Sequence, residues 1–333
     1  MTRETATQPR LSVRRDSWPL AKPFTISRGS KTVADVVVAE VIDGALRGRG
    51  EGVPYGRYGE TIDGVVAALE AMGDLVAEGF DRPRLQEAMP PGAARNALDV
   101  ALWDLEAKSS GSSVWALAGI EEPKPVVTAY TLSVDTPEHM GAAAQGEAHR
   151  PLLKLKLTGE GDLERVRAVR AGAPRARLIV DANEAWTLDH LRDYGAVLAE
   201  LGVALIEQPL PAGQDAALAD MPHPVPLCAD DSCHTSADLP DLVGRYDYVN
   251  IKLDKSGGLT EGLRLLAAAR ERGFGIMVGC MVGSSLAMAP AMLLAQNADF
   301  VDLDAPLLLA RDRQPGLRYE GSVVYPPKPN LWG

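Results

Sequence analysis

Cysteine is scarce in this chain: 333 residues hold three, Cys228, Cys233 and Cys280. No Cys-x-x-Cys pair occurs, which argues against a disulfide framework or a thiolate zinc centre and suits a reducing cytoplasm. Basic residues are outnumbered, 34 Lys and Arg against 45 Asp and Glu, for a net charge of −11. Nucleic-acid and anionic-membrane binders need a basic surface, so neither class is expected; a local basic pocket remains open. The start, MTRETATQPR, lacks the apolar core of a secretory signal. His190, His223 and His234 show no ligand spacing and read as surface or packing residues. Low-complexity segments and free linkers are also lacking.

One stretch, residues 273–298, lacks charge and is long enough to raise a membrane helix. Its glycines, serines and Pro290, with an alternating first part, fit a buried strand, loop and helix better. At 46% hydrophobic and 24% charged, the whole chain is composed like a globular protein. Its length exceeds what one core usually serves.

Val36–Ile42 and the Gly-containing segment after it suggest a hairpin. Ala94, Ala97, Leu98, Ala101, Leu102 and Leu105 then fall at helical spacing. From Val126 short apolar runs alternate with helical stretches. The runs centre near Thr131, Leu155, Val180, Ile206, Cys228, Ile251, Val278 and Asp302, 22 to 27 residues apart. Eight such units predict an α/β fold, a (β/α)8 TIM-type barrel; an open doubly wound sheet would alternate similarly but less evenly. The expected division is an α+β capping domain over 1–125, the barrel over 126–304, and a Pro-rich tail over 305–333 returning to the cap.

In such barrels chemistry sits at the C-terminal ends of the strands. The second strand, LLKLKL, places Lys154 and Lys156 on one face by its period of two. With leucines facing the helices, both lysines point inward, and mutual repulsion should depress the pKa of at least one. Solvated lysines on an edge strand are the bland alternative. Asp181, Glu207 and Asp230 end the next three strands, about 4.8 Å apart. Three hard oxygen donors converging there suit one Mg²⁺, although separate salt bridges or helix caps would use the same residue types. The sixth strand supplies Lys252, opposite the second in a ring of eight. Lys156 and Lys252 flanking the α-carbon of a metal-held carboxylate is what a two-base 1,1-proton transfer needs. Lys255, three positions on, reads as the start of a loop. On the eighth strand Asp302 and Asp304 share the inward face. They either receive a substrate ammonium group or pair with Lys154 or Lys252 as counter-ions. Arg28 and Arg57 lie in capping loops, where an arginine either holds a substrate carboxylate or is merely solvated.

In order, KLKL, VDANEAW, IEQPLP, CADDSCH, VNIKLDKSGG and DLDAP, with the helix NALDVALWDL, resemble the muconate-lactonizing branch of the enolase superfamily. DLDAP, PFTISRGS and VGCM are similar to the L-Ala-D/L-Glu (dipeptide) epimerases in particular. The resemblance implies an α+β cap on a modified barrel and isomerase chemistry through an enediolate, with Lys156 and Lys252 catalytic. It also implies one Mg²⁺ per chain on Asp181, Glu207 and Asp230, with Asn183 and Asp231 behind them. The substrate would be a dipeptide contacted by Arg28, Thr131, Lys154, Asp302 and Asp304. Arg28 would take a glutamyl side-chain carboxylate; the acid pair would take the ammonium group. Asp231 departs from the pattern, since many relatives carry Glu there. A lyase of the superfamily (muconate cycloisomerase or o-succinylbenzoate synthase) would use the same lysines and metal without an ammonium site. A barrel that only binds is the remaining rival, and a homo-oligomer is compatible with all three.

Overall fold

The computed structural model describes residues 8–333; residues 1–7 of the polar start lie outside the described residues. Three antiparallel strands open the chain: β1 (Arg10–Ile26), β2 (Gly29–Asp43) and β3 (Leu46–Gly52). The hairpin expected after Val36–Ile42 is β2–β3, closed by Asp43 opposite Leu46. β1 is an addition to the expected elements. Only Leu20 of its residues is buried and its register shifts between Pro19 and Phe24, so it carries little periodic signal.

The helix Ala93–Ser110 packs Ala97, Leu98, Ala101 and Leu102 against Val37, Ala39 and Val41 of the sheet. Gly48, Gly50 and Gly52 alternate along β3 beneath it. A Cβ at Gly50 would stand 2.0 Å from the Ala97 carbonyl oxygen, so the two backbones meet only because the strand is bare there. The helix's other side is polar yet buried, because it crosses to the barrel. Arg95 Nη2 donates to Ser256 O at 2.6 Å, Asn96 Nδ2 to Asp254 Oδ1 at 2.8 Å, and Thr260 N to Asp99 Oδ2 at 3.0 Å.

After β4 (Val126–Val127) come eight parallel strands. They are β5 (Tyr130–Leu132), β6 (Leu152–Lys156), β7 (Arg177–Asp181), β8 (Val203–Glu207), β9 (Leu227–Ala229), β10 (Tyr248–Ile251), β11 (Gly275–Val278) and β12 (Phe300–Val301). Each pairs with the next, and Ala129 N–H donates to Val301 O at 2.8 Å, joining last to first. Period two sorts the side chains as the sequence suggested. Leu153, Leu155 and Leu157 join the outer helix-facing core, while Leu152, Ile179, Leu205, Cys228, Met277 and Phe300 plug the inside. The fold is a modified (β/α)8 barrel with an α+β cap.

Three helices of the ideal pattern are reduced, the one after β12 to Ala305–Leu308. A short 3₁₀ turn, Ala216–Asp220, joins β8 to β9, and four residues, Leu239–Leu242, join β9 to β10. Pro209, Pro211, Pro222, Pro224 and Pro226 crowd the first connection, and each lacks the N–H a helix requires. The uncharged stretch is β11, a loop and the fully buried helix Ser285–Ala295; no helix among the described residues is long and apolar enough to cross a membrane. In the tail, β13 (Tyr319–Glu320) and β14 (Val323–Val324) form a hairpin that pairs with β4. Trp332 Nε1 reaches Val100 O at 2.9 Å and Arg313 Nη2 reaches Glu51 Oε2 at 2.8 Å in the cap, while Tyr319 OH donates to Leu303 O at 2.7 Å, so the tail bridges cap and barrel.

Candidate active site

The strand ends gather the predicted residues. Lys156, Asp181 and Glu207 are the last residues of β6, β7 and β8, and Asp230 and Lys252 follow β9 and β10 directly. In register, Lys156 lies beside Asp181, and Asp181 beside Glu207. β6 and β10 are four strands apart, which sets Lys156 and Lys252 across the mouth from each other. Between them lies a cavity of about 250 Å³, roofed by Phe24, Ile26, Arg28 and Lys31 of the cap.

Each carboxylate is turned to an ammonium group. Lys156 Nζ donates to Asp181 Oδ2 at 2.5 Å and Lys252 Nζ to Asp230 Oδ2 at 2.7 Å. Lys154 Nζ stands 2.6 Å from Glu207 Oε2, 2.8 Å from Asp302 Oδ2 and 3.3 Å from Asp181 Oδ2. Burial alone would lower Lys154, but Asp302, Glu207 and Asp181 outweigh it and hold it well above the usual lysine range. Lys252 is raised in the same way, against its burial, by Asp230 and Glu207. At Lys154 the surrounding acids dominate any repulsion from the neighbouring ammonium group.

Among the described residues no three acidic, histidine or cysteine side chains form a ready metal cage, because lysines hold the carboxylates. The donor set nevertheless fits a hard divalent cation. Asp181, Glu207 and Asp230 are buried to within 2% exposure and offer only oxygen. Burial, then the charge of Asp181, pushes the Glu207 carboxyl up to about 7. Its Oε2 accepts no well-angled hydrogen bond although Lys154 is close. A cation there would relieve both.

Asp302 and Asp304 lie beyond β12, which ends at Val301, so they belong to the following loop rather than to the strand. Asp304 Oδ2 accepts the Thr131 N–H at 2.6 Å, and burial, then Asp302, pushes its carboxyl up to about 7. Asp302 serves Lys154 through Oδ2, while its buried Oδ1 has no partner among the described residues. Leaving such an oxygen unsatisfied costs about 1–3 kcal/mol, so the site is built for a donor.

Asn183 N donates to Asp181 Oδ1 at 2.9 Å, and Tyr58 OH to Asp231 Oδ1 at 2.9 Å. Arg28 lines the cavity but is largely engaged. Its Nε and Nη2 donate to Tyr55 OH, and its Nη1 to Asn183 O and Glu184 Oε2. Arg57 grips the same Glu184 through two hydrogen bonds, so one acid of the loop after β7 latches both capping loops. His190 serves the helix cap of Thr187, and His223 bonds Asp247 and Leu218, away from the site.

The site also contains residues that strand periodicity does not reveal. Lys255 is buried, not a loop start: the turn Leu253–Ser256 folds it back onto Asp230 Oδ1 at 2.7 Å and Asn250 O at 3.0 Å. Its spacing of three from Lys252 was the available clue. Asn250 Nδ2 holds Glu207 Oε1 at 2.8 Å, and Gln208 Oε1 accepts the Asp230 N–H at 2.8 Å. Asn183, Glu184 and Gln208 all have positive φ, 45°, 68° and 36°, a strain that clusters at working sites.

Comparison with known proteins agrees with this geometry. Residues 139–328 match the enolase C-terminal domain-like profile, and residues 9–119 the mandelate racemase / muconate lactonizing enzyme N-terminal domain. The chain is 47% identical to the L-Ala-D/L-Glu epimerase of Escherichia coli K12, over 91% of this chain and 95% of that one. It is 45% identical to an N-acetyl-D-glutamate racemase from Pseudoalteromonas, over 90% and 95%. A solved enolase family member from Agrobacterium tumefaciens, with homology to dipeptide epimerases and with sodium and L-Ala-L-Glu bound, is similar at a TM-score of 0.96. It shares 56% identity over 98% of this chain and all of that one. With both domain profiles matched and relatives this similar along nearly the whole chain, the chain belongs to the mandelate racemase / muconate lactonizing enzyme family of the enolase superfamily.

Proposed function

We propose that the protein is a Mg²⁺-dependent dipeptide epimerase of the L-Ala-D/L-Glu type, an isomerase. The observation that carries this reading is Lys156 facing Lys252 across a cavity also lined by Asp302, whose buried Oδ1 is unpartnered among the described residues. Asp181, Glu207 and Asp230 would hold Mg²⁺, which supplies positive charge against the negative charge that develops on the substrate carboxylate. One of Lys156 and Lys252 removes the α-proton from its own face and the other delivers a proton to the opposite face, through an enediolate, with the roles exchanged in the reverse direction. Asp302 accepts the dipeptide ammonium group, Asp304 is positioned by Thr131, and Lys154 stays paired with Asp302 and Glu207. Asn183 and Asp231 fix the neighbouring groups, and Arg28 closes the cap over the ligand.

Similarity to an N-acetyl-D-glutamate racemase favours one second reading, in which the α-amino group is acylated and the Asp302 oxygen receives an amide N–H instead. A superfamily lyase has no use for that oxygen, and a barrel that only binds has none for two opposed lysines. We place the activity in the turnover of cell-wall peptides in the cytoplasm, supported by three free cysteines. The test is α-proton exchange in heavy water with Mg²⁺. L-Ala-L-Glu should exchange and epimerise faster than N-acetyl-L-glutamate. The reverse order would support the acylated substrate, and no exchange with either would sink both readings.

A further inference from the structure

The three acidic strand ends are fastened in a common way. Each carboxylate has one oxygen held from the barrel wall: Asp181 Oδ1 by the Asn183 backbone N–H at 2.9 Å, Asp230 Oδ1 by Lys255 Nζ at 2.7 Å, and Glu207 Oε1 by Asn250 Nδ2 at 2.8 Å. The second oxygen of each is turned instead to the ammonium tip of Lys156, Lys252 or Lys154. Asn250 is fully buried, and its Oδ1 has no partner among the described residues. Such an orphaned oxygen costs about 1–3 kcal/mol, so the amide is not there to stabilise the interior. Turned the other way, it would set that oxygen against the Glu207 carboxylate, acceptor to acceptor. The amide lies flat on Gly279, the residue after β11. A Cβ at Gly279 would stand 2.6 Å from Asn250 Oδ1 and 2.8 Å from Nδ2, so two neighbouring strands together make room for one donor to Glu207.

Resting on the assignment of Asp181, Glu207 and Asp230 to Mg²⁺, we propose that Asn250 is a positioning residue that limits Glu207 to one metal-facing oxygen and so selects a small divalent cation over a large one. Ca²⁺ takes about six to eight oxygens and accepts both oxygens of a carboxylate, whereas Mg²⁺ demands a near-octahedral set and keeps several waters. Three carboxylates that each present a single oxygen suit the second ion and leave the first short of ligands. Asp181 is pinned by main chain, and Asp230 by a lysine that also bonds Asn250 O at 3.0 Å. Only the Glu207 pin is a neutral side chain, exchangeable without a change of charge. Without it, Glu207 Oε1 is released, with Lys252 standing off at 3.8 Å, and the carboxylate is free to turn both oxygens to a larger ion.

Calorimetry with Mg²⁺ and with Ca²⁺, each alone on the metal-stripped full chain, gives the ratio of the two affinities. The wild type should favour Mg²⁺. Asn250→Leu, close in size but without a donor, should move the ratio toward Ca²⁺ by at least about fivefold. Gly279→Ala keeps the amide but displaces it, and should move the ratio the same way. A smaller shift in Asn250→Leu, a shift toward Mg²⁺, or a wild type that favours Ca²⁺ overturns the inference. Affinities that fall together do so too, since a merely structural loosening harms both ions alike. Should Asn250→Leu lose its circular dichroism, Gly279→Ala decides, and an unchanged ratio there overturns the inference. Asp181→Asn judges the metal assignment separately: undiminished Mg²⁺ affinity in that variant sinks the assignment, whereas an unchanged ratio at Asn250 and Gly279 sinks only the inference.

Discussion

Asp254 Oδ1 accepts the backbone N–H of Val53 at 2.9 Å, two residues beyond Lys252 on one side and one beyond β3 on the other. A single buried carboxylate therefore ties the cap's last strand to the strand that carries a proposed base. The same oxygen takes Asn96 Nδ2, and burial pushes the Asp254 carboxyl up to about 7 despite those bonds. The folded state holds this proton above the ordinary carboxylate range, so stability falls as pH rises from about 4 to about 7 and stays reduced above. Asp254→Asn keeps an accepting oxygen and removes the charge. It should gain on the order of 1–3 kcal/mol relative to wild type between pH 5 and pH 8. Urea midpoints at both pH values check this, and a pH-independent difference counts against it.

The metal site gives a second expectation. Chelation should abolish epimerisation and leave the circular dichroism spectrum in place, since the barrel is closed by apolar strands. Asp181→Asn, Glu207→Gln and Asp230→Asn should each weaken Mg²⁺ binding at least about tenfold by calorimetry. Full turnover in stripped protein, or undiminished Mg²⁺ affinity in all three variants, would displace the site.

Two lysines on opposite faces imply divided labour. Lys156→Ala and Lys252→Ala should each lower net epimerisation by about a thousandfold, the scale of a lost acid or base. Each variant should still exchange the α-proton of one stereoisomer with deuterium, and the two should differ in which. If only one lysine matters for both turnover and exchange, the mechanism is a lyase-like one.

Asp302→Asn and Asp304→Asn keep shape and remove charge. Binding of free dipeptides should suffer more than binding of their N-acyl forms, by about ten- to a hundredfold at Asp302, the worth of a hydrogen bond to a charged group. Equal losses for the two ligand types would leave Asp302 as a counter-ion of Lys154 only.

Much of this site could be read from strand periodicity. Lys156, Asp181 and Glu207 end strands, and a period of two fixes which way they face. The signal fails where the third dimension decides. Lys255 is brought back by one helical turn, Lys31 hangs from a strand of another domain, and Glu184 acts across a loop on two arginines. The raised Lys154 is not legible in the sequence, because repulsion between neighbours is visible there whereas acids from β7, β8 and the loop after β12 are not. β1 is not legible in the sequence because a half-exposed strand with two prolines has no regular alternation.

Close approach of β3 to the long cap helix yields a stability test. At Gly50 a methyl group would meet Ala97 O at 2.0 Å and Val100 Cγ2 at 2.4 Å, so Gly50→Ala should cost about 3 kcal/mol or more. Gly73 has nothing within 4 Å, and Gly73→Ala should change stability by less than about 1 kcal/mol. Urea unfolding of the pair would expose the contrast; equal effects would mean that the helix can lift off the strand freely.

The β1–β2 turn, which lays Arg28 over the barrel and donates Ser27 Oγ to Asn183 O at 3.0 Å, lies outside the strands that carry the reacting groups. Drift in a handful of turn residues can therefore alter what enters the cavity while the proton-moving lysines are left untouched. A lineage could explore new substrates by mutating the rim alone, and a chimera that exchanges this hairpin should carry the donor's substrate preference on the recipient's chemistry.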